Sequence, residues 1–172
     1  MKKKLNKYHT LYFDKYFPYT NKKRSSKKHF VTLGVGANIP NERKRFEKLY
    51  LYIKRDKLLS FVQSSPILKN PPFGYTNQAY FYNTCIVIKT NLNPMQLLRH
   101  ILKIEKKFKR ERKFTNSPRT LDLDIIFFAK IRVNKKNLTI PHPNYKDRDS
   151  VMIPLSFIKK GKTNEAIHFY SL

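Results

Sequence analysis

The sequence predicts an α+β domain of the ferredoxin-like β-α-β-β-α-β plan, an antiparallel sheet with its helices on one face. Three observations carry that expectation. Strand and helix periodicities follow one another as strand, helix, strand, strand, helix, strand between His29 and Phe128. Tyr80 to Thr90 alternates cleanly, with Phe81, Asn83, Cys85 and Val87 on one face and Tyr82, Thr84, Ile86 and Ile88 on the other. After Asn93 and Pro94, which suit a helix N-cap and first position, Met95, Leu97, Leu98, Ile101, Leu102, Ile104 and Phe108 recur at helical spacing. Such a plan covers one sheet face with helices and leaves the other for ligands.

The chain opens on a lead, Met1 to Lys28, with nine lysines and one arginine against a single acid, Asp14. It has no clear period. Its end, Lys22 to Lys28, reads as a linker, while Tyr8, Tyr12, Phe13, Tyr16, Phe17 and Tyr19 are available to pack on a domain of residues 29–172. His29 to Val35 reads as the first strand, ending in Gly34-Val35-Gly36-Ala37-Asn38. Ile39 breaks a G-x-G-x-x-G dinucleotide loop, and no G-x-x-x-x-G-K-[ST] is present. The glycines therefore read as a tight turn from strand to helix.

Asn41 to Lys57 follows as a helix, capped by Asn41, with Phe46, Leu49, Tyr50 and Ile53 as its apolar stripe. Leu58 to Leu68 is strand-like, and Pro71-Pro72-Phe73-Gly74 marks a loop with a stiff entry and a flexible exit. The second helix runs out into the basic loop Lys109 to Lys113, which leads to a strand over Leu121 to Phe128. A hairpin over Arg132 to Ile140 comes next, then Pro141-His142-Pro143 and a polar loop, and Val151 to Ile158 returns to the core.

A chain of 172 residues with 40% hydrophobic and 14% aromatic residues can bury a substantial core, despite a mean hydropathy of −0.62. The formal charge of +26 favours polyanionic partners such as nucleotides. Lysines scattered among Asn, Ile, Phe and Tyr are also what AT-rich coding produces, so charge alone does not choose a partner. The single cysteine, Cys85, excludes an intrachain disulfide and a cysteine zinc site, and its place in an apolar strand suits a small core residue. No apolar run approaches the roughly 20 residues a membrane span needs. With no secretory pattern either, a cytoplasmic protein is expected.

The chemistry concentrates in Ser117-Pro118-Arg119-Thr120-Leu121-Asp122-Leu123-Asp124. On a strand, Asp122 and Asp124 share a face roughly 6–7 Å apart. Two carboxylates there suit Mg²⁺, which takes one or two carboxylates and completes its octahedron with water and substrate phosphates. Arg110, Arg112 and Arg119 lie nearby in sequence, and the planar guanidinium fork suits phosphate oxygens. Each clue has a plainer reading: the aspartates fit a solvated strand face, and Arg110 and Arg112 fit a helix C-terminus.

Taken together, the motifs resemble the 6-hydroxymethyl-7,8-dihydropterin pyrophosphokinase family across Phe30 to Ile158. The anchor is the P-R-x-x-D-x-D pattern from Pro118 to Asp124. In-order support comes from Gly36-Ala37-Asn38, Ser64-Ser65, Pro71-Pro72-Phe73-Gly74, Asn83, Ile104-Glu105, Arg110-x-Arg112, Ile140-Pro141-His142-Pro143, Arg148 and Pro154-Leu155. The resemblance implies transfer of pyrophosphate from ATP to a pterin alcohol. Asp122 and Asp124 would hold two Mg²⁺ ions, and Arg110, Arg112 and Arg119 would be the catalytic cations. Leu98, Glu105, Arg110, Arg112, Ile125, Thr139, His142 and Arg148 would bind ATP. Asn70, Pro71, Pro72, Phe73, Phe81, Asn83 and Arg119 would bind the pterin, with Phe81 stacked on its ring and Asn83 on its polar edge.

Where relatives carry an aromatic two positions beyond Arg148, this chain has Ser150, so either the pterin stacks on one side only or Phe73 or Tyr145 supplies the second face. Ala37 stands where relatives often have serine, and the Arg112–Arg119 loop lacks a tryptophan that some carry. The lead is outside the resemblance. The rival reading is an RNA-binding module of the same plan, which stacks bases on strand aromatics. No RNP1-like segment is present, and paired aspartates would repel a phosphate backbone, so a monomeric enzyme without nucleic-acid or membrane partners is expected.

Overall fold

The structure, a computed structural model, describes residues 1–74, 76–111 and 117–159. It is a mixed α+β fold built on a mostly antiparallel open sheet. Among the described residues the strands are β1 (Lys2–Lys4), β2 (Thr10–Tyr12), β3 (Tyr19–Thr20), β4 (His29–Ala37), β5 (Leu59–Ser64), β6 (Ile67–Asn70), β7 (Phe81–Thr90), β8 (Asp122–Phe128), β9 (Val133–Lys135) and β10 (Leu138–Ile140). The helices are α1 (Glu42–Arg55), α2 (Pro94–Lys107) and α3 (Asp149–Ser156). None of them is long and apolar enough to cross a membrane.

The sheet runs β1-β2-β6-β7-β4-β8, with β5 on the same edge of β7 as β6 and β3 outside β5. Every pairing is antiparallel. The stretch that reads as one strand from Leu58 to Leu68 is split at Ser65-Pro66. Pro66 has no amide to give the ladder, and the kink is pinned by Ser65: its amide donates to the Cys85 carbonyl at 2.9 Å and its Oγ accepts the Cys85 amide at 3.0 Å. The bend lets β5 follow the far half of β7 and β6 the near half.

Helices α1 and α2 cover one face. Phe46, Leu49 and Ile53 from α1 and Leu97, Ile101 and Ile104 from α2 pack on Val31, Leu33, Val35, Ile86, Ile88, Leu123 and Ile125, all nearly inaccessible. Asn93 caps α2 in a reciprocal box: its Oδ1 accepts the Gln96 amide at 2.9 Å and its own amide donates to Gln96 Oε1 at 2.9 Å. Asn41 precedes α1 differently from expectation. It takes the left-handed conformation (φ 74°), which asparagine tolerates, and its side chain makes no capping bond.

The opposite face is half covered. Val151 of α3, with Tyr145 and Ile158, packs on Cys85, Val87, Ile126 and Phe127. Cys85 is a core residue, fully buried, and burial pushes its thiol up to about 12. Tyr145 stands edge-on to Phe127 with ring centroids 4.9 Å apart. The end of the sheet carrying Asn83, Gly36 and Asp122 is left open.

The lead joins the sheet. β2 extends it beyond β6, pairing Leu11 with Leu68, and β3 pairs with β5. Leu11 and Phe17 are fully buried, and Tyr16 stacks on Tyr50 of α1 at 4.0 Å. Arg43 of α1 pairs with Asp14 and lies over the Tyr12 ring, 4.6 Å from its centroid. Polar and apolar residues are interleaved in strands of two or three residues, too short to show a period.

Candidate active site

Strand β4 lies between β7 and β8, and its residues 31–36 have a neighbour on either side. Gly36 sits between Asn83 and Asp122, and Gly34 between Cys85 and Asp124. The expected turn over these glycines is absent, because β4 continues through Ala37. Their small size is instead used on the open face of the sheet. A Cβ on Gly36 would lie 2.9 Å from Asn83 Oδ1, and one on Gly34 would lie 3.1 Å from Ile126 Cδ1. The bare backbone becomes the floor of a trough with Phe81 and Asn83 on one bank and Asp122 and Asp124 on the other.

Asn70, Phe73, Arg119, His142, Arg148, Ser150 and Val151 complete the walls. Asn83 Nδ2 donates to Asn70 Oδ1 at 2.7 Å, and Asn70 Nδ2 donates to the Pro71 carbonyl at 2.8 Å. The double-proline loop is thereby tied to the asparagine beneath it. Phe73 is 74% exposed, and the Arg148 guanidinium lies 5.6 Å from its ring centroid. Phe73 and Phe81 both line the trough, and Tyr145, consumed by the core, is not available for stacking.

Arg119 is fixed from several directions. Its amide donates to Asn38 Oδ1 at 2.8 Å, its carbonyl accepts the Asn38 amide at 3.0 Å, and its Nε donates to the Ser117 carbonyl at 3.2 Å. Its Nη1 reaches Asp122 Oδ2 at 2.5 Å, and its guanidinium stands 5.1 Å from the Phe81 centroid. Arg110 Nε lies 3.6 Å from the other oxygen of Asp122. Burial and the adjacent Asp122 carboxylate push the Asp124 carboxyl above its ordinary range, and His142, Arg148 and Arg119 offset part of that. His142 is anchored by its amide, which donates to the Ile126 carbonyl at 3.0 Å, and its buried Nδ1 has no partner among the described residues.

The donor set fits a hard divalent cation. Two carboxylates on one face match the oxygen ligation that Mg²⁺ accepts. Among the described residues no group of three His, Cys, Asp or Glu side chains stands together, so the protein supplies only part of a shell. The rest would come from water or from substrate oxygens, as suits an ion that arrives with a nucleotide.

Other expected residues are not among those that line the trough. Glu105 is 2% exposed, and its Oε1 accepts the Leu123 amide at 2.8 Å, so this carboxylate grips β8 between the two aspartates. Ile125 is packed on the helix side of the sheet, Leu98 is half-buried on α2, and Thr139 is exposed on the β9–β10 hairpin. Pro71 and Pro72 line an adjoining cleft. Arg112 lies outside the described residues. Sequence reasoning gave Gly34 and Gly36 only a turn and used Gly36 and Asn38 only as family motif residues, with no place in the site. A signal for the glycines existed: two at i, i+2 on one strand match two aspartates at i, i+2 on its neighbour.

Comparison with known proteins identifies the family. Residues 32–160 match the family model described as 7,8-dihydro-6-hydroxymethylpterin-pyrophosphokinase. The chain is similar to the 2-amino-4-hydroxy-6-hydroxymethyldihydropteridine pyrophosphokinase of Helicobacter pylori, with 41% identity over 154 residues, 86% of this chain and 94% of that protein. It is 40% identical to the protein of the same name from Campylobacter jejuni over 144 residues, 84% of this chain and 92% of the relative. For the Bacillus subtilis protein of that name the identity is 32% over 134 residues, 78% of this chain and 80% of the relative. The chain belongs to the 7,8-dihydro-6-hydroxymethylpterin-pyrophosphokinase family.

Proposed function

We propose, with that membership as premise, that the chain transfers the pyrophosphoryl group of ATP to the hydroxymethyl oxygen of 6-hydroxymethyl-7,8-dihydropterin, releasing AMP, in folate biosynthesis. The observation that carries this reading is the glycine-floored trough, which sets an aromatic and amide bank opposite paired carboxylates. In the reaction the hydroxymethyl oxygen bonds to the β-phosphorus of ATP, the bond from that phosphorus to the α–β bridging oxygen breaks, and AMP leaves. The hydroxyl proton is released. The core strand order, with every pair antiparallel, supports the ferredoxin-like plan for β4-α1-β5/β6-β7-α2-β8.

Asp122 and Asp124 would hold Mg²⁺, in our reading two ions shared with the ATP phosphates. Held by these two carboxylates, Mg²⁺ would supply positive charge against the phosphates of the transferred group. The protein's own contributions are positional and electrostatic. Phe81 supports one ring face and Phe73 the other, making good the aromatic that Ser150 replaces. Asn83, oriented by Asn70, addresses the polar edge, and Pro71 and Pro72 stiffen the wall. Arg119 and Arg110, which neutralise Asp122 in the absence of substrate, are placed to exchange that carboxylate for phosphate oxygens; Arg112 is assigned with them. His142 and Arg148 approach the triphosphate from the open side, with Leu98 and Thr139 at its rim. Glu105 and Ile125 contribute by holding β8 rather than by direct contact.

The RNA-binding alternative is not supported, since the family model and the relatives are pyrophosphokinases. We place the enzyme in the cytoplasm as a monomer, its lead (residues 1–28) attached to a pyrophosphokinase domain of residues 29–172. The test is to incubate the protein with ATP, Mg²⁺ and hydroxymethyl-dihydropterin and identify the nucleotide product. AMP is expected; ADP would mean single-phosphoryl transfer, and no product would refute the assignment.

A further inference from the structure

The cleft adjoining the trough has a wall that the family span does not supply. Tyr8 and His9, from the turn between β1 and β2, face Pro71, Phe73, Tyr80 and the Arg148–Ser150 segment across it. The matched family residues begin at 32, so this wall belongs to the lead.

The turn is well built. Asn6 Oδ1 accepts the amides of Tyr8 at 2.8 Å and His9 at 2.9 Å. His9 Nδ1 lies 3.1 Å from Asn6 Nδ2 and 3.2 Å from Asn6 Oδ1, so the Asn6 amide holds that side of the ring. The other ring nitrogen, Nε2, lies 3.6 Å from Asp149 Oδ2. The His9 side chain is only 12% exposed although it sits on a surface turn.

What it touches gives the turn its role. Thr10, the next residue, is paired with Lys69 of β6, one position before Asn70 and the double-proline loop. Asp149 is the first residue of α3, one position after Arg148. The turn therefore spans two segments distant in sequence, one presenting Phe73 and the other Arg148, and these two side chains meet above the trough.

We propose that the lead is a working part of the substrate site: its Asn6–His9 turn clamps the Phe73 loop to the Arg148 segment, His9 acting as a positioning residue through Asp149 and Tyr8 as an outer wall. The inference rests on the pyrophosphokinase reading. A clamp of this kind touches no reacting atom, so it acts on ground-state binding and appears in KM.

The experiment uses the full chain and compares His9→Ala, His9→Gln and Tyr8→Ala with wild type, measuring AMP release, KM for each substrate and the melting temperature. His9→Ala is expected to raise KM for the pterin or for ATP by about two- to fivefold, the range for losing one partly exposed charge contact, with kcat nearly unchanged. His9→Gln keeps a donor toward Asp149 and should recover most of the loss, which a purely structural role would not predict. Tyr8→Ala should raise KM for the pterin. Unchanged KM for both substrates in His9→Ala and Tyr8→Ala, with normal wild-type turnover, overturns the clamp and leaves the enzyme assignment intact. If His9→Ala does not fold, Tyr8→Ala decides: a wild-type KM for the pterin in that variant overturns the clamp. A wild-type chain that forms no AMP overturns the assignment, and the clamp with it.

Discussion

Replacing Gly36 by alanine probes whether bare backbone is required between Asn83 and Asp122. The added Cβ would stand 2.9 Å from Asn83 Oδ1, inside the contact limit for carbon and oxygen. Gly36 lies within a regular strand, and its backbone is not among those with positive φ, so alanine adopts the conformation without strain. The side-chain amide of Asn83 must then swing away. Its Nδ2 bond to Asn70 Oδ1, 2.7 Å long, is the interaction lost. One such hydrogen bond is worth about 1 kcal/mol net, or roughly a fivefold change in an equilibrium constant. KM for the pterin should therefore rise by about fivefold, with KM for ATP nearly constant and the melting temperature lower by no more than about 2–4 °C. Steady-state AMP release at varied pterin, with a thermal melt of each variant, gives these values. The decisive comparison is a double-mutant cycle with Asn83→Ala. Once the side chain it collides with is gone, Gly36→Ala should cost nothing further. A full additional fivefold loss in the Asn83→Ala background, or no change in the single variant, would refute a steric role for this glycine.

Asp124→Asn should abolish most turnover yet raise the melting temperature of the metal-free protein. Its carboxyl is held above the ordinary range by burial and by Asp122, so the native state binds that proton more tightly than the unfolded chain does. Metal-free wild type should accordingly lose stability as pH rises from the ordinary carboxylate range through the raised value, a slope that Asp124→Asn flattens and Mg²⁺ counteracts; an unchanged melting profile would show the charge is not felt. Phe17→Ala removes a fully buried ring from the lead and should cost about 3–5 kcal/mol in chemical denaturation. A loss below 1 kcal/mol would mean the lead is only loosely docked. Glu105→Ala deprives the Leu123 amide of its acceptor and should lower both stability, by about 1–3 kcal/mol, and kcat through misplaced aspartates, whereas Glu105→Gln, which keeps an acceptor, should retain most of both.

Much of the site was legible because its parts are local in sequence. Asp122 and Asp124 share a face by strand geometry alone, as do Phe81 and Asn83, and Asn93-Pro94 announces α2 through its own hydrogen-bonding chemistry. The glycines were visible but misread. Whether Gly34 and Gly36 bend a chain or floor a trough depends on which strands flank them, and that pairing joins residues far apart in sequence.

The same division runs through the whole molecule. Periodicity and motif spacing by themselves determined the α+β class, the central strands and both long helices, the carboxylate pair and the arginines near it. They could do so because side-chain direction repeats with the backbone and needs no partner. Tertiary structure decided the rest. It brought the lead's short strands onto β5 and β6, spent Tyr145 in the core while leaving Phe73 exposed, turned Glu105 inward to hold β8, and set His9 against Asp149. Each of those outcomes is a contact between segments distant along the chain, fixed by burial and by hydrogen bonds that form only once the sheet has assembled.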